Sequence, residues 1–205
     1  MVPNLADALR LLLVTDDALL DGRDLRAVIE AAVRGGVSAV QLRLKHATDR
    51  ELLALARTLV ASTPVPVFVN DRLDVALISG AAGCHLGADD LPPRLAATIV
   101  PAGFVIGASV GSIAEVARAQ QAAYWGIGPL HASSTKGDAG PALGLTGAVA
   151  LLDAAGGRPC VLIGGVEPVD VQAARRAGFA GVAVSGGILR ADDVEGAARR
   201  YVAGG

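Results

Sequence analysis

The sequence predicts an α/β protein folded as a single (β/α)8 TIM barrel, and three observations carry that expectation. Short apolar runs alternate with segments of helical periodicity, and eight such strand–helix units can be counted in 205 residues. A faint internal repeat pairs the units: odd-numbered strands end LVTD, FVND, IGAS and LIGG, and several even ones follow Gly or Ala turns, as in GGVSAV, GAAGCHL and GFAGVAV. Paired units repeating round a ring fit a closed barrel better than an open doubly wound sheet, and no G-x-G-x-x-G follows the first strand.

The elements follow in order. Strand one is expected over 11–15, then a helix over 25–34 with Asp24 as its N-cap. Strand two, 39–42, runs into Gln41-Leu42-Arg43-Leu44-Lys45, and its helix opens on Thr48-Asp49-Arg50-Glu51, a capping-box pattern. Strand three (65–70), a helix over 72–79 and strand four (83–86) form one unit, and each strand ends in acid: Asn70-Asp71 and Asp89-Asp90. The next helix is expected to start at Asp90 or Leu91, with Pro92 and Pro93 in its first turn. Strand five is placed at 105–109 with a helix over 113–121, and strand six at 124–127. A long Gly-rich segment, 128–144, precedes a helix near 147–154. Strand seven at 160–163, a helix at 169–177, strand eight at 182–184 and a last helix at 192–202 complete the ring, so residues 1–205 read as one domain.

Composition narrows the function. Hydrophobic residues make up 52% and charged ones 19%, enough for a large core and too apolar for disorder. Aromatics are 3%, leaving the interior to Ala, Val, Leu and Ile, as suits buried parallel strands. A net charge of −2 gives no footing for nucleic acid or an anionic membrane, and no apolar run approaches a membrane span. The start of the chain lacks the marks of a secretory signal, and Cys84 and Cys160 fall within strands as small core residues, so a cytoplasmic protein is expected. Of the 18 basic residues only Lys45 and Lys136 are lysine, which marks them as positions where a compact ammonium is expected to serve better than a planar guanidinium.

In a parallel barrel the C-terminal strand ends share the active face. There Arg43, Lys45, Asn70, Asp71, Asp90, Ser109 and Lys136 would ring one mouth. Glycines directly follow strands seven and eight, in Ile163-Gly164-Gly165-Val166 and Val184-Ser185-Gly186-Gly187-Ile188; bare N–H groups at that corner suit a phosphate. Asp71 and Asp90 beside phosphates need a cation between, since like charges at ~4 Å repel by about 4 kcal/mol at an effective dielectric of 20. Mg2+ fits, taking one or two carboxylates plus substrate phosphates. The plainer alternatives are a helix cap for Asp90 and an ion pair with Arg72 for Asp71; Asp89 is left to such a role. Segment 128–144 holds Ser133, Ser134, Thr135 and Lys136, and could close over an anion. His131 reads as polar surface, His85 as a packed core residue, and His46 lacks a partner.

The segments QLRLK, VNDR, HLGADDLP, GASV, GPLHASSTK, IGGV and VAVSGGI occur in this order at successive strand ends. Together they resemble the thiamine-phosphate synthase family, over nearly the whole chain. The resemblance implies a TIM barrel, commonly homo-oligomeric, that joins a pyrimidine pyrophosphate to a thiazole phosphate. Gln41, Arg43, Lys45 and Asn70 would then hold the pyrimidine pyrophosphate, and Asp71 and Asp90 the Mg2+. Ser109 would touch the pyrimidine, and Lys136 the leaving pyrophosphate. Ser133, Ser134, Thr135, Gly165, Ser185 and Gly186 would take the thiazole phosphate, and Arg43, Lys45 and Lys136 would assist the chemistry. That chemistry is a dissociative substitution, which needs leaving-group stabilisation and dryness more than a base. The chain departs from the family's pattern at Leu44 (usually Glu), Ala88 (Gln), His131-Ala132 (aromatic-Pro) and Gly186-Gly187 (often Ser-Ala). A thiazole tautomerase relative, an isomerase, would carry His at Gln41 and Pro129 and lack the acid at Asp90; a non-catalytic phosphate-binding paralogue is the third reading.

Overall fold

In the computed structural model, which describes residues 4–132 and 141–204, eight parallel strands close into one barrel in sequence order. The strands are β1 (Leu11–Val14), β2 (Ala39–Leu42), β3 (Val67–Asn70), β4 (Gly83–Leu86), β5 (Val105–Val110), β6 (Tyr124–Ile127), β7 (Cys160–Ile163) and β8 (Gly181–Val184). The ring shuts where β8 pairs with β1, Leu11 opposite Val182 and Leu13 opposite Val184.

Alternation along each strand sorts the side chains into two cores. Leu12, Val14, Ala39, Phe68, Val105, Tyr124, Val161 and Ala183 fill the barrel. Leu11, Leu13, Val40, Leu42, Val69, Cys84, Leu86, Ile106, Trp125, Leu162 and Val182 belong to the larger cluster under the helices. Both cysteines are free and buried, and desolvation pushes the Cys160 thiol up to about 11, as befits packing residues.

The outer layer comprises α1 (Leu5–Ala8), α2 (Leu25–Arg34), α3 (Asp49–Ser62), α4 (Leu73–Ser79), α5 (Pro93–Ala96), α6 (Ile113–Ala119), α7 (Gly144–Asp153), α8 (Asp170–Ala177), α9 (Gly186–Leu189) and α10 (Val194–Ala203). Asp24 caps α2 by accepting from Arg26 N, and the expected capping box at α3 is present, Thr48 and Glu51 each bonding the other's backbone. The helix expected from Asp90 or Leu91 begins only at Pro93. Consecutive prolines hold Leu91 and Pro92 out of helical geometry, and Pro92 sits extended at φ −56°, ψ 135°.

Three elements lie outside the sequence expectation: α1, a 3-10 turn at Asp17–Leu19, and α9. Asn4 caps α1, and Leu9 just after it is fully buried in the inner core with Leu5 against it, plugging the end where β1 starts. Among the described residues no helix is long and apolar enough to cross a membrane.

The seam between β8 and the α1–β1 connection is tight. A Cβ at Gly181 would collide with the carbonyl oxygens of Leu9 and Arg10, backbone atoms that cannot swing aside. Gly181→Ala is therefore expected to lower unfolding stability by about 1–3 kcal/mol, read from the midpoint of denaturant unfolding at unchanged slope.

Candidate active site

Toward the C-terminal strand ends each strand presents an inward residue, Val14 and Ala183 of the inner core among them. These residues floor a cavity of about 710 Å³ at the C-terminal strand ends: Val14, Gln41, Asn70, His85, Ser109, Gly126, Ile163 and Ala183. Four are polar, and they come from consecutive strands β2 to β5. Gln41 is buried and donates through Nε2 to Asn70 Oδ1 at 2.6 Å, so the two amides fix each other's orientation. His85 and Ser109 meet at 3.0 Å.

Arg43 also lines the cavity, and its guanidinium is tied to Asp16 at 3.0 Å, with side-chain exposures of 15% and 4%. Thr15 locks the same corner by accepting from Arg43 N (2.8 Å) and donating to Arg43 O (2.9 Å). Arg43 therefore reaches any anion as one half of a buried pair. Asp17 captures the next stretch by accepting from Lys45 N (3.2 Å) and His46 N (3.0 Å). Burial works against the Asp17 carboxylate, but those N–H groups outweigh it and hold its pKa below the usual range. Lys45 itself is exposed and lies outside the cavity lining.

Asp71 and Asp90 converge beside the same mouth. A Cβ placed on Gly87 would lie 3.1 Å from Asp90 Oδ2 and 4.0 Å from Asp71 Oδ1, so both carboxylates bracket this glycine. Asp90 is held there by Gly87 N, at 2.6 Å, and is not the cap of α5, whose N-cap position is Pro92. Asp71 adopts φ 63°, a left-handed conformation uncommon outside glycine. Arg72 pairs with Asp49 and Asp74. The donor set of hard carboxylate oxygens, without thiolate or imidazole, suits Mg2+.

Across the ring, β7 and β8 end in the two glycine pairs. Gly164 and Gly165 take φ 89° and 70°, and side chains there would press on Pro129 and His131. That closeness lets Leu130 N donate to Ile163 O (2.8 Å) and His131 N to Gly164 O (2.9 Å), joining the β6 and β7 loops. Ser185 Oγ is buried and, among the described residues, has no hydrogen-bond partner, the kind of hydroxyl that a ligand satisfies. Gly165, Ser185 and Gly186 all line the cavity, with Arg190 and Glu167 at its edge. His131 is exposed and bound to Asp170 at 3.1 Å, which agrees with its reading as polar surface.

The fold thus brings Gln41, Arg43, Asn70, Ser109, Gly165, Ser185 and Gly186 to one cavity, with Asp71 and Asp90 beside it. Ser133, Ser134, Thr135 and Lys136 lie outside the described residues. His85 is packed and hydrogen-bonded as expected, but it forms part of the cavity floor. Its strand parity was the missed signal: it alternates with Cys84 and Leu86, which face outward. Asp16 was missed although LVTD had already shown an acid closing strand one.

The family model described as thiamine monophosphate synthase matches residues 11–188. A thiamine-phosphate synthase of Chloroflexus aurantiacus is 42% identical over 93% of this chain and 90% of its own length. One from Azorhizobium caulinodans is 43% identical over 93% and 92%. The solved thiamine phosphate pyrophosphorylase of Pyrococcus furiosus superposes with a TM-score of 0.86 at 31% identity, covering 98% of this chain and 97% of that one.

The second glycine after β8 has a visible cause. A Cβ at Gly187 would strike the hydroxyl of Tyr201, which reaches in from α10 and donates to Val166 O at 3.0 Å. Gly187→Ala is expected to lower the melting temperature, and Tyr201→Phe to relieve that loss. Thermal denaturation of the four proteins should return a favourable coupling of about 0.5–3 kcal/mol; simple additivity would mean Tyr201 is not what excludes a side chain at 187.

Proposed function

Because this chain belongs to the thiamine monophosphate synthase family, and is with it a transferase enzyme, we propose that it joins a pyrimidine bearing a methylene pyrophosphate to a thiazole phosphate, giving thiamine phosphate and pyrophosphate. The observation that carries this reading is a pair of anion sites of different make across one cavity. The β2–β4 side offers Arg43 and two carboxylates suited to a cation, and the β7–β8 side offers glycine backbone and the Ser185 hydroxyl, which has no partner among the described residues. A pyrophosphate that departs with a growing charge calls for the first, and a phosphate that is merely held calls for the second.

In the proposed reaction the bond between the pyrimidine methylene carbon and the pyrophosphate oxygen breaks, and its electron pair leaves with pyrophosphate. The thiazole nitrogen then gives its lone pair to the pyrimidine-methyl cation and forms the new C–N bond. No proton has to be removed, and the pairing of His131 with Asp170 is compatible with that. Gln41 and Asn70 present a fixed amide edge to the pyrimidine, while Arg43 and Lys45, with Lys136, receive the departing charge. Asp71 and Asp90 would hold Mg2+, which when bound offsets the negative charge of the pyrophosphate oxygens. Gln41 in the floor and the acid at Asp90 favour this reading over the isomerase one.

Incubation with both substrates and Mg2+, followed by mass analysis, should show thiamine phosphate; no product would leave a phosphate-binding paralogue. Asp71→Asn and Asp90→Asn should each cut turnover at least about tenfold to a hundredfold, the worth of one charge-assisted contact, with the fold retained by circular dichroism. Full activity of both variants, or of the parent protein in EDTA, would remove the metal assignment.

A separate test addresses the two lysines. Lys45→Arg and Lys136→Arg preserve charge but replace a compact ammonium with a wide planar fork. Each should lose about tenfold in turnover at unchanged melting temperature, while Arg57→Lys on the exposed face of α3 stays at the parent rate. Parent rates for both Lys variants would place the pyrophosphate contacts elsewhere.

A further inference from the structure

His85 bridges two hydroxyls of different kind. Its Nδ1 lies 2.9 Å from Tyr124 Oη, deep in the barrel, and its Nε2 lies 3.0 Å from Ser109 Oγ, on the cavity floor. The contact is made possible by a glycine. Gly107 stands opposite His85 in the β4–β5 register and opposite Tyr124 in the β5–β6 register, so it lies between them. A Cβ at Gly107 would run into the Tyr124 ring, and one at Gly126, opposite Ser109, would come within 3.3 Å of His85 Cε1. Two glycines on adjacent strands thus leave the space in which a phenol, an imidazole and a serine line up.

The direction of the protons in this row follows from burial. Tyr124 is wholly buried, its ring tilted against Phe68 at 5.8 Å, and His85 is its hydrogen-bond partner among the described residues. Were Nδ1 protonated, the buried phenolic proton would be left without an acceptor among the described residues, which is unfavourable. Burial also raises the Tyr124 pKa, so the phenol keeps its proton. Tyr124 therefore donates to Nδ1, which makes His85 the Nε2–H tautomer, and Nε2–H donates to Ser109 Oγ. With one lone pair of Oγ so used, the serine proton is left for the cavity.

We propose that Tyr124 and His85 are positioning residues that fix Ser109 as a hydrogen-bond donor, selecting a heteroaromatic substrate with an acceptor ring nitrogen at that point. The inference rests on the reading of the cavity as a pyrimidine site. A hydroxyl free to rotate would accept or donate equally; one already accepting from a buried imidazole discriminates against a ring that offers N–H or C–H there. Tyr124 touches no substrate in this scheme, and its influence passes through the tautomer of His85.

The test has one arm independent of turnover. Nitrogen-15 spectra of the histidine-labelled free enzyme, with the His85 signals assigned by their loss in His85→Gln, should show Nδ1 unprotonated and Nε2 protonated; the opposite tautomer or a doubly protonated ring overturns the proposal. In steady-state assays Tyr124→Phe should raise KM for the pyrimidine substrate about tenfold and leave KM for the thiazole phosphate unchanged. Pyrimidine analogues with each ring nitrogen in turn replaced by C–H should reveal one position whose loss hurts the parent enzyme about tenfold and Ser109→Ala hardly at all. Equal sensitivity of parent and Ser109→Ala to every analogue, or an unchanged pyrimidine KM in folded Tyr124→Phe, overturns the proposal. Absence of turnover in the parent enzyme would instead defeat the functional reading, and the spectra would still report the tautomer.

Discussion

Everything at the mouth of this barrel depends on the closed parallel register. Because β8 pairs back onto β1, no strand can slip without shifting its neighbours, and a one-residue slip would turn every inward side chain outward. Gln41, Asn70, His85 and Ser109 face the cavity because Val40, Val69, Cys84 and Ala108 beside them are claimed by the outer core. The polar floor is thus held in place by hydrophobic burial on the other side of the sheet. Burial is nonspecific in direction, but the two-residue period of the strand converts it into a choice of face.

Glycine supplies what side chains cannot. At Gly107 and Gly126 the missing Cβ opens a path across β5 and β6 along which buried polar groups can meet. At Gly164 and Gly165 positive φ and the absence of a side chain let the β6 and β7 loops bond edge to edge. At Gly187 the space is taken by Tyr201, so a residue of the last helix shapes the turn that follows β8. In each case the backbone is brought close to something, and a methyl group would hold it off.

The charges are arranged by the same economy. Arg43 is neutralised by buried Asp16, which lets a guanidinium stand within a largely apolar barrel without an unpaired charge. Asp71 and Asp90 sit at the more open edge beside Gly87, where water or a cation with its own hydration can share their field. On the proposed reading, a site that takes up two phosphorylated ligands gains from charges that are compensated before either arrives.

Much of this was legible along the chain. Eight apolar runs of strand length, the capping box at Thr48 and the acids closing strands three and four were local features, and local features survive in a linear reading. The family resemblance then assigned Gln41, Arg43, Asn70, Ser109, Gly165, Ser185 and Gly186 to one mouth, and the barrel brings them there. What the chain alone could not show were relations between strands. His85 meets Tyr124 across 39 residues, Arg43 meets Asp16 across 27, and Gly187 meets Tyr201 from another helix. Hydrophobic period and turn chemistry determine which residues form strands and which way they face, since those depend on neighbours in sequence. Which residues then touch, and which way a proton points between them, was decided only when closure of the barrel brought distant strands into register.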